Sequence, residues 1–185
     1  MSRIILLIVS TIFSLSGCAQ TVEWKEDVRL LDGRVVTVVQ KKLCKGGDYA
    51  ATVEATCLAR DAWVRIEIPE INDHEILWHE NLNPMVINIF KGRLYIVGTP
   101  PTSVEFRKYG AVNPPYYGFT WEGGNWKHIP FAEIPNEIYE GNMLIESIPK
   151  TRATHVTLEQ KKIETGCCYR SPQRRIDPNR KSSAH

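Results

Sequence analysis

Trp24-Lys25-Glu26-Asp27-Val28-Arg29-Leu30-Leu31-Asp32-Gly33-Arg34-Val35-Val36-Thr37-Val38-Val39-Gln40 decides the fold class. Trp24, Glu26, Val28 and Leu30 share one parity, the period-2 pattern of a strand with one buried face. Asp32-Gly33 is a strong two-residue hairpin signal. A two-residue turn pairs Leu30 with Val35 and Val28 with Thr37. One face then carries Trp24, Val28, Leu30, Val35 and Val39, and the other Arg29, Arg34 and Gln40.

The same logic repeats downstream. Trp63, Val64, Ile66 and Ile68 read as a strand ended by Pro69. Met85–Phe90 and Arg93–Val97 flank Lys91-Gly92, and a hairpin there pairs Ile89 with Leu94 and Ile87 with Ile96. Val86, Tyr95 and Val97 fall on the opposite face. Both faces are then apolar, as in a central strand pair covered on each side. Tyr117, Phe119 and Trp121 alternate into Gly123-Gly124, which sets Trp121 opposite Trp126 as a cross-strand aromatic pair. Residues 131–149 read as irregular chain with one short strand near Met143–Ile148. Thr157–Thr165 holds good helix formers. The expected fold is all-β or mainly β: a small antiparallel sandwich or barrel with a short C-terminal helix and a disordered tail.

The N-terminus speaks to location. Ile4–Leu15 is an apolar run with only Arg3 in front of it. It is too short to span a bilayer, which takes about 20 residues, and it matches the apolar core of a secretory signal. Leu15-Ser16-Gly17-Cys18 follows, and this resembles the lipobox of bacterial lipoproteins. The resemblance implies a diacylglyceryl group on Cys18 Sγ, palmitate-type acyl chains, and Cys18 as first residue of the mature chain. Ala19 stands where an aspartate is the usual inner-membrane retention signal in such lipoproteins. The implied location is therefore the cell envelope, with a lipid anchor in the outer membrane facing the periplasm. Expected boundaries are a signal peptide over 1–17, a lipidated tether over 18–23, a periplasmic β domain over 24–170, and a basic tail over 171–185 with little to bury.

Removing 1–17 leaves about 170 residues, one ordinary domain. The formal charge is +2. Near-neutrality and export argue against nucleic acid as a partner. With Cys18 lipidated, Cys44, Cys57, Cys167 and Cys168 remain, an even set suited to two disulfides in an oxidising compartment. Three pairings are open. A Cys167–Cys168 bridge needs a strained ring, which favours Cys44 and Cys57 each meeting one of that pair. Such long loops give on the order of 4 kcal/mol in the chain-entropy model. The spacing does not suit a zinc knuckle, and no metal or other cofactor is expected.

Asp73-His74-Glu75-Ile76-Leu77-Trp78-His79-Glu80 comes near the His-Glu-x-x-His zinc signature, but its second histidine is one position late. On a helix or a strand, His74 and His79 face different ways. Glu75 and His79 share a face in either geometry and form the best acid–base candidate. Read structurally, the segment is a solvated loop or edge strand with Trp78 packed inward. Tyr117, Phe119, Trp121 and Trp126 form a candidate stacking platform for a glycan, or equally a core face. His128 and His155 stand alone in sequence. No Gly-x-Ser-x-Gly elbow and no phosphate loop occurs.

The hairpin blocks Trp24–Arg34 and Tyr117–Pro130 resemble uncharacterised proteobacterial lipoproteins and phage-associated proteins; that resemblance implies no activity. The expected function is a non-enzymatic binding or accessory module, attached to the membrane by its N-terminal lipid and meeting an envelope protein or glycan. The alternatives are an envelope hydrolase built around Glu75 and His79, and a phage or mobile-element exclusion or inhibitor lipoprotein.

Overall fold

The structure, a computed structural model, describes residues 19–45, 58–144, 149, 153–164 and 175–181. The expected signal peptide and Cys18 lie outside the described residues. Two open sheets face each other, so the mainly β expectation holds, as a sandwich rather than a barrel. The first sheet has five strands: β1 (Ala19–Arg29), β2 (Val35–Lys45), β3 (Leu58–Ile66), β4 (Ile76–Glu80) and β9 (His155–Val156), in the order β4-β3-β2-β1-β9. All its pairings are antiparallel except β1 with β9. The second is an antiparallel meander of β5 (Asn83–Phe90), β6 (Arg93–Thr99), β7 (Tyr117–Glu122) and β8 (Asn125–Ile129).

Between the sheets lies a core of Val28, Leu30, Val38, Val64, Ile66, Ile76 and Trp78 from the first and Ile87, Leu94, Ile96, Tyr117 and Phe119 from the second. The outer face of the second sheet is also buried. Met85, Val86, Tyr95 and Val97 are covered by Ile134, Ile138 and Ile176. The expectation of a strand pair covered on both faces holds for β5 and β6, with one correction: β5 is an edge strand. Asn142 covers that edge. Its side chain accepts from Ile87 N (3.0 Å) and donates to Ile87 O (2.7 Å), replacing a missing strand partner.

The Lys91-Gly92 hairpin has the expected register, Ile89 with Leu94 and Ile87 with Ile96. Lys91 and Gly92 both take positive φ (48° and 75°), as a two-residue type I′ turn requires. Gly123-Gly124 likewise sets Trp121 opposite Trp126, rings 5.4 Å apart.

The first hairpin is corrected by one residue. Val28 pairs with Val36, not Thr37, and Arg29 with Val35. Only Gly33 is left-handed (φ 89°); Asp32 instead accepts Arg34 N on its carboxylate at 3.0 Å. The loop is therefore three residues, Leu31–Gly33, closed by Leu30 N to Arg34 O. A slip of one residue exchanges the faces of a strand. Val35 is 48% exposed, Val39 moves outward, and Gln40 and Lys42 turn into the interior, each 1% exposed.

The expected tether is corrected as well, because β1 starts at Ala19 and pairs with Lys45 from that residue on. Within the expected tail, residues 175–181 dock on the domain. Ile176 is 1% exposed and its N–H donates to Tyr139 O, while Asp177 N donates to Tyr116 Oη. No strand forms at Met143 and Leu144, and 145–148 lie outside the described residues. The expected helix is present as α2 (Leu158–Glu164). Thr157 and Gln160 exchange side-chain and backbone hydrogen bonds at its start, a capping box.

Candidate functional site

Strand direction sorts the loops. β1 and β3 run away from residue 19, and β2 and β4 return. Two contacts orient the second sheet: Lys42 Nζ to Asn83 Oδ1 (3.3 Å) and Leu31 N to Asn88 Oδ1 (2.8 Å). β5 therefore runs parallel to the axis of β1, and β6, β7 and β8 alternate after it. The hairpin tips Leu31–Gly33, Lys91-Gly92 and Gly123-Gly124 and the segment 67–75 all lie at the end far from Ala19. The near end holds Glu80–Leu82 and α1 (Ser103–Lys108), which follows β6. Eleven residues of β1 separate the ends by about 36 Å.

The far end carries a shallow cleft of about 320 Å³, lined by Glu67, Ile68, Pro69, Asn72, Asp73, His74 and Glu75. Arg34 fastens the first hairpin to it, bonding both Asp32 and Glu70 and holding both carboxyls below their ordinary range. Glu67, Asp73, His74 and Glu75 are all exposed on its rim.

Glu75 and His79 do share a face, but they do not converge. Four residues along a strand span about 13 Å. Glu75 stands 4.0 Å from Arg65. His79 stacks on Trp63 at 4.6 Å, with Nε2 3.3 Å from Asp61. His74 faces the cleft, away from His79. Among the described residues, no three His, Cys, Asp or Glu side chains gather in a way that could hold a metal. Trp78 is packed inward on edge strand β4.

The aromatic series divides. Tyr117 (1% exposed) and Phe119 (4%) are core, which corrects the platform reading for both. Trp121 and Trp126 are partly buried against the same core, and Trp126 Nε1 donates to Leu77 O at 2.9 Å, closing the gap between the sheet edges β8 and β4. Cys44 is buried and disulfide-bonded; Cys57, Cys167 and Cys168 lie outside the described residues.

Two groupings were not foreseen. The first is buried: Glu26 (0% exposed) meets Lys161 (1%) at 2.5 Å, and also accepts from Gln40, from Trp24 Nε1 and from Leu144 N. Its one sequence signal is Glu26 standing in the parity series of Trp24, Val28 and Leu30. Desolvation lowers the Lys161 pKa against the opposing pull of Glu26. The second is exposed. Asp27 Oδ1 accepts from Thr37 Oγ1 (2.9 Å) and lies 2.8 Å from His155 Nε2, which β9 brings alongside β1.

Partial burial raises the Asp27 pKa, but the His155 and Thr37 hydrogen bonds outweigh it and the net shift is downward. A carboxyl depressed in the folded state adds stability above its unfolded pKa and loses it as pH falls through the folded value. Asp27→Asn is therefore expected to flatten the acid limb of a stability–pH profile below about pH 4. Urea midpoints from pH 2 to 7 check this, and a variant that loses stability in parallel with the parent at every pH refutes it.

No protein-family model, characterised protein or solved structure matches this chain.

Proposed function

We propose that the chain is a lipid-anchored envelope protein that acts as a non-enzymatic binding module, holding the far end of its sandwich out towards a partner. One observation carries the reading: β1 begins one residue after Cys18 of the lipobox, while the hairpin tips and the acidic cleft lie at the opposite end. An acyl group on Cys18 leaves no linker, so the fold stands on the membrane and its far loops reach about 36 Å from it. Loops held by a rigid scaffold are where binding residues concentrate. A partner with cationic groups complements Glu67, Asp73 and Glu75. An exclusion or inhibitor lipoprotein is a special case of the same arrangement.

Cys18→Ser is expected to abolish radiolabelled-lipid incorporation and move the protein to the soluble envelope fraction; a labelled variant refutes the anchor. The binding role is read by crosslinking in the native envelope, with mass spectrometry of non-reduced complexes. Asp73→Ala with His74→Ala, both exposed, is expected to remove the crosslinked partner while leaving the melting temperature unchanged. A partner retained at full yield refutes the far end as the binding surface.

A further inference from the structure

We infer that the near end of the sandwich rests on an anionic phospholipid surface, with α1 and the loop up to Val112 as the contact. The inference builds on the anchor reading and adds a second, non-covalent attachment.

Among the described residues, the large apolar side chains exposed to solvent are Leu31, Val35, Leu77, Val104 and Val112. Leu31 and Val35 are at the far end. Val104 (55% exposed) and Val112 (44%) are at the near end, on α1 and just after it. Between them stand Arg107 and Lys108, both exposed. Of the acids in this region Glu105 is buried and Glu80 half-buried, while Asp61 stays 39% exposed. Glu105 is 4% exposed and accepts from Thr102 and Asn81. Glu80 accepts from Tyr109 Oη at 2.6 Å. Asp61 is engaged with His79. The helix therefore presents cations and apolar groups outward and keeps its carboxylate inside, the composition that suits the headgroup boundary of an anionic leaflet.

The surface is also held rigidly. Phe106 is buried, Thr102 caps the helix through Val104 N, and Tyr109 Oη receives Asn81 N (3.1 Å) from the turn after β4. Burial and the Glu80 carboxylate push the Tyr109 pKa up, so the phenol stays protonated and the clasp stays closed at neutral pH. Helix α1 is thereby fastened to the β4 edge of the first sheet, three strand spacings from β1 and at the same end as the start of β1. A lipidated Cys18 sits one peptide unit, about 3.8 Å, from Ala19. With strands about 4.8 Å apart, α1 lies about 14 Å across the near end from β1, and an acyl chain on Cys18 turns that end towards the headgroups. A diacylglyceryl group supplies two chains, and a basic patch beside it adds an electrostatic attraction to the anionic surface.

The test uses the mature full-length protein on vesicles of phosphatidylcholine and phosphatidylglycerol carrying a diazirine in the headgroup. Photolabel is located by peptide mass spectrometry, and the same digest reports the modification on Cys18. Labelling is expected on residues 103–112 and not on 31–35. Arg107→Glu with Lys108→Glu is expected to reduce it at least five-fold for each charge altered. Equal labelling at 31–35, or labelling unchanged in the double variant, overturns the inference. An unmodified Cys18 with label on 103–112 retains the surface and removes the anchor. A lipidated Cys18 with label elsewhere does the opposite, and absence of both overturns both.

Discussion

Lys161→Ala is expected to destabilise the fold by about 3–5 kcal/mol, the range for removing one partner of a buried ion pair. The reason is what stays behind. Glu26 is fully enclosed on β1, and its Oε1 sits between Lys161 Nζ (2.5 Å) and Leu144 N (2.8 Å). Lys161 Nζ also donates to Asn142 O at 2.7 Å. Without the ammonium, the carboxylate keeps two neutral donors and the weaker Trp24 contact at 3.4 Å, which do not offset its desolvation. Glu26→Ala should cost a similar amount by stranding the lysine. Glu26→Leu combined with Lys161→Met removes both charges and keeps the volume, and such replacements are often neutral or stabilising. Urea unfolding at pH 7 checks all three, with the slope of the transition watched for loss of two-state behaviour. A loss below about 1 kcal/mol for Lys161→Ala would show that the pair does not hold α2 and the Asn142–Leu144 segment onto β1.

That pair also marks where the sequence stops being legible. The hairpins at Lys91-Gly92 and Gly123-Gly124 can be read because each turn carries a glycine at its second position and each flanking pattern has one sensible partner register. Asp32-Gly33 misleads for a physical reason. The dipeptide serves both a two-residue turn with Asp left-handed and a three-residue loop in which Asp caps the following amide, and here Arg34 N takes the Asp32 carboxylate. Which loop forms is settled by what the rest of β2 meets. The observed register puts Gln40 beside Glu26 and Lys42 over the Trp24 ring, contacts invisible to a count of apolar residues.

The site is less legible than the fold. Glu75 and His79 do lie on one face, but same-face residues on a strand are spread along it, whereas a helix would have stacked them within one turn. Asp27 and His155, 128 positions apart in the chain, meet only because a two-residue parallel strand joins the outer edge of β1. Ile176 and Asn142 act the same way, each a single residue inserted into a prepared gap. The near and far ends of the sandwich follow from strand direction, so their contents, α1 at one and the acidic cleft at the other, become readable only once every pairing is known.

Trp78→Ala is expected to destabilise by about 3–5 kcal/mol, the range for removing a large aromatic from a core. Trp78 is 1% exposed on β4, an edge strand of five residues, and its ring meets Phe119 edge-on at 5.7 Å across the interface between the sheets. Strand β4 pairs with a strand on one side only and meets just the Trp126 indole N–H on the other, so its attachment depends largely on Ile76 and Trp78 reaching into the core. Trp78 Nε1 is buried without a hydrogen-bond partner. Trp78→Phe keeps the aromatic contact and removes that donor, so its smaller volume is partly compensated and a loss of about 1–2 kcal/mol is expected. The alanine variant should also free the β4 amides to exchange before global unfolding, while β5 and β6 remain protected. Hydrogen exchange resolved by peptide, with urea titration of both variants, checks the two expectations together. Equal losses for alanine and phenylalanine would leave the aromatic packing against Phe119 with no role in holding the edge strand.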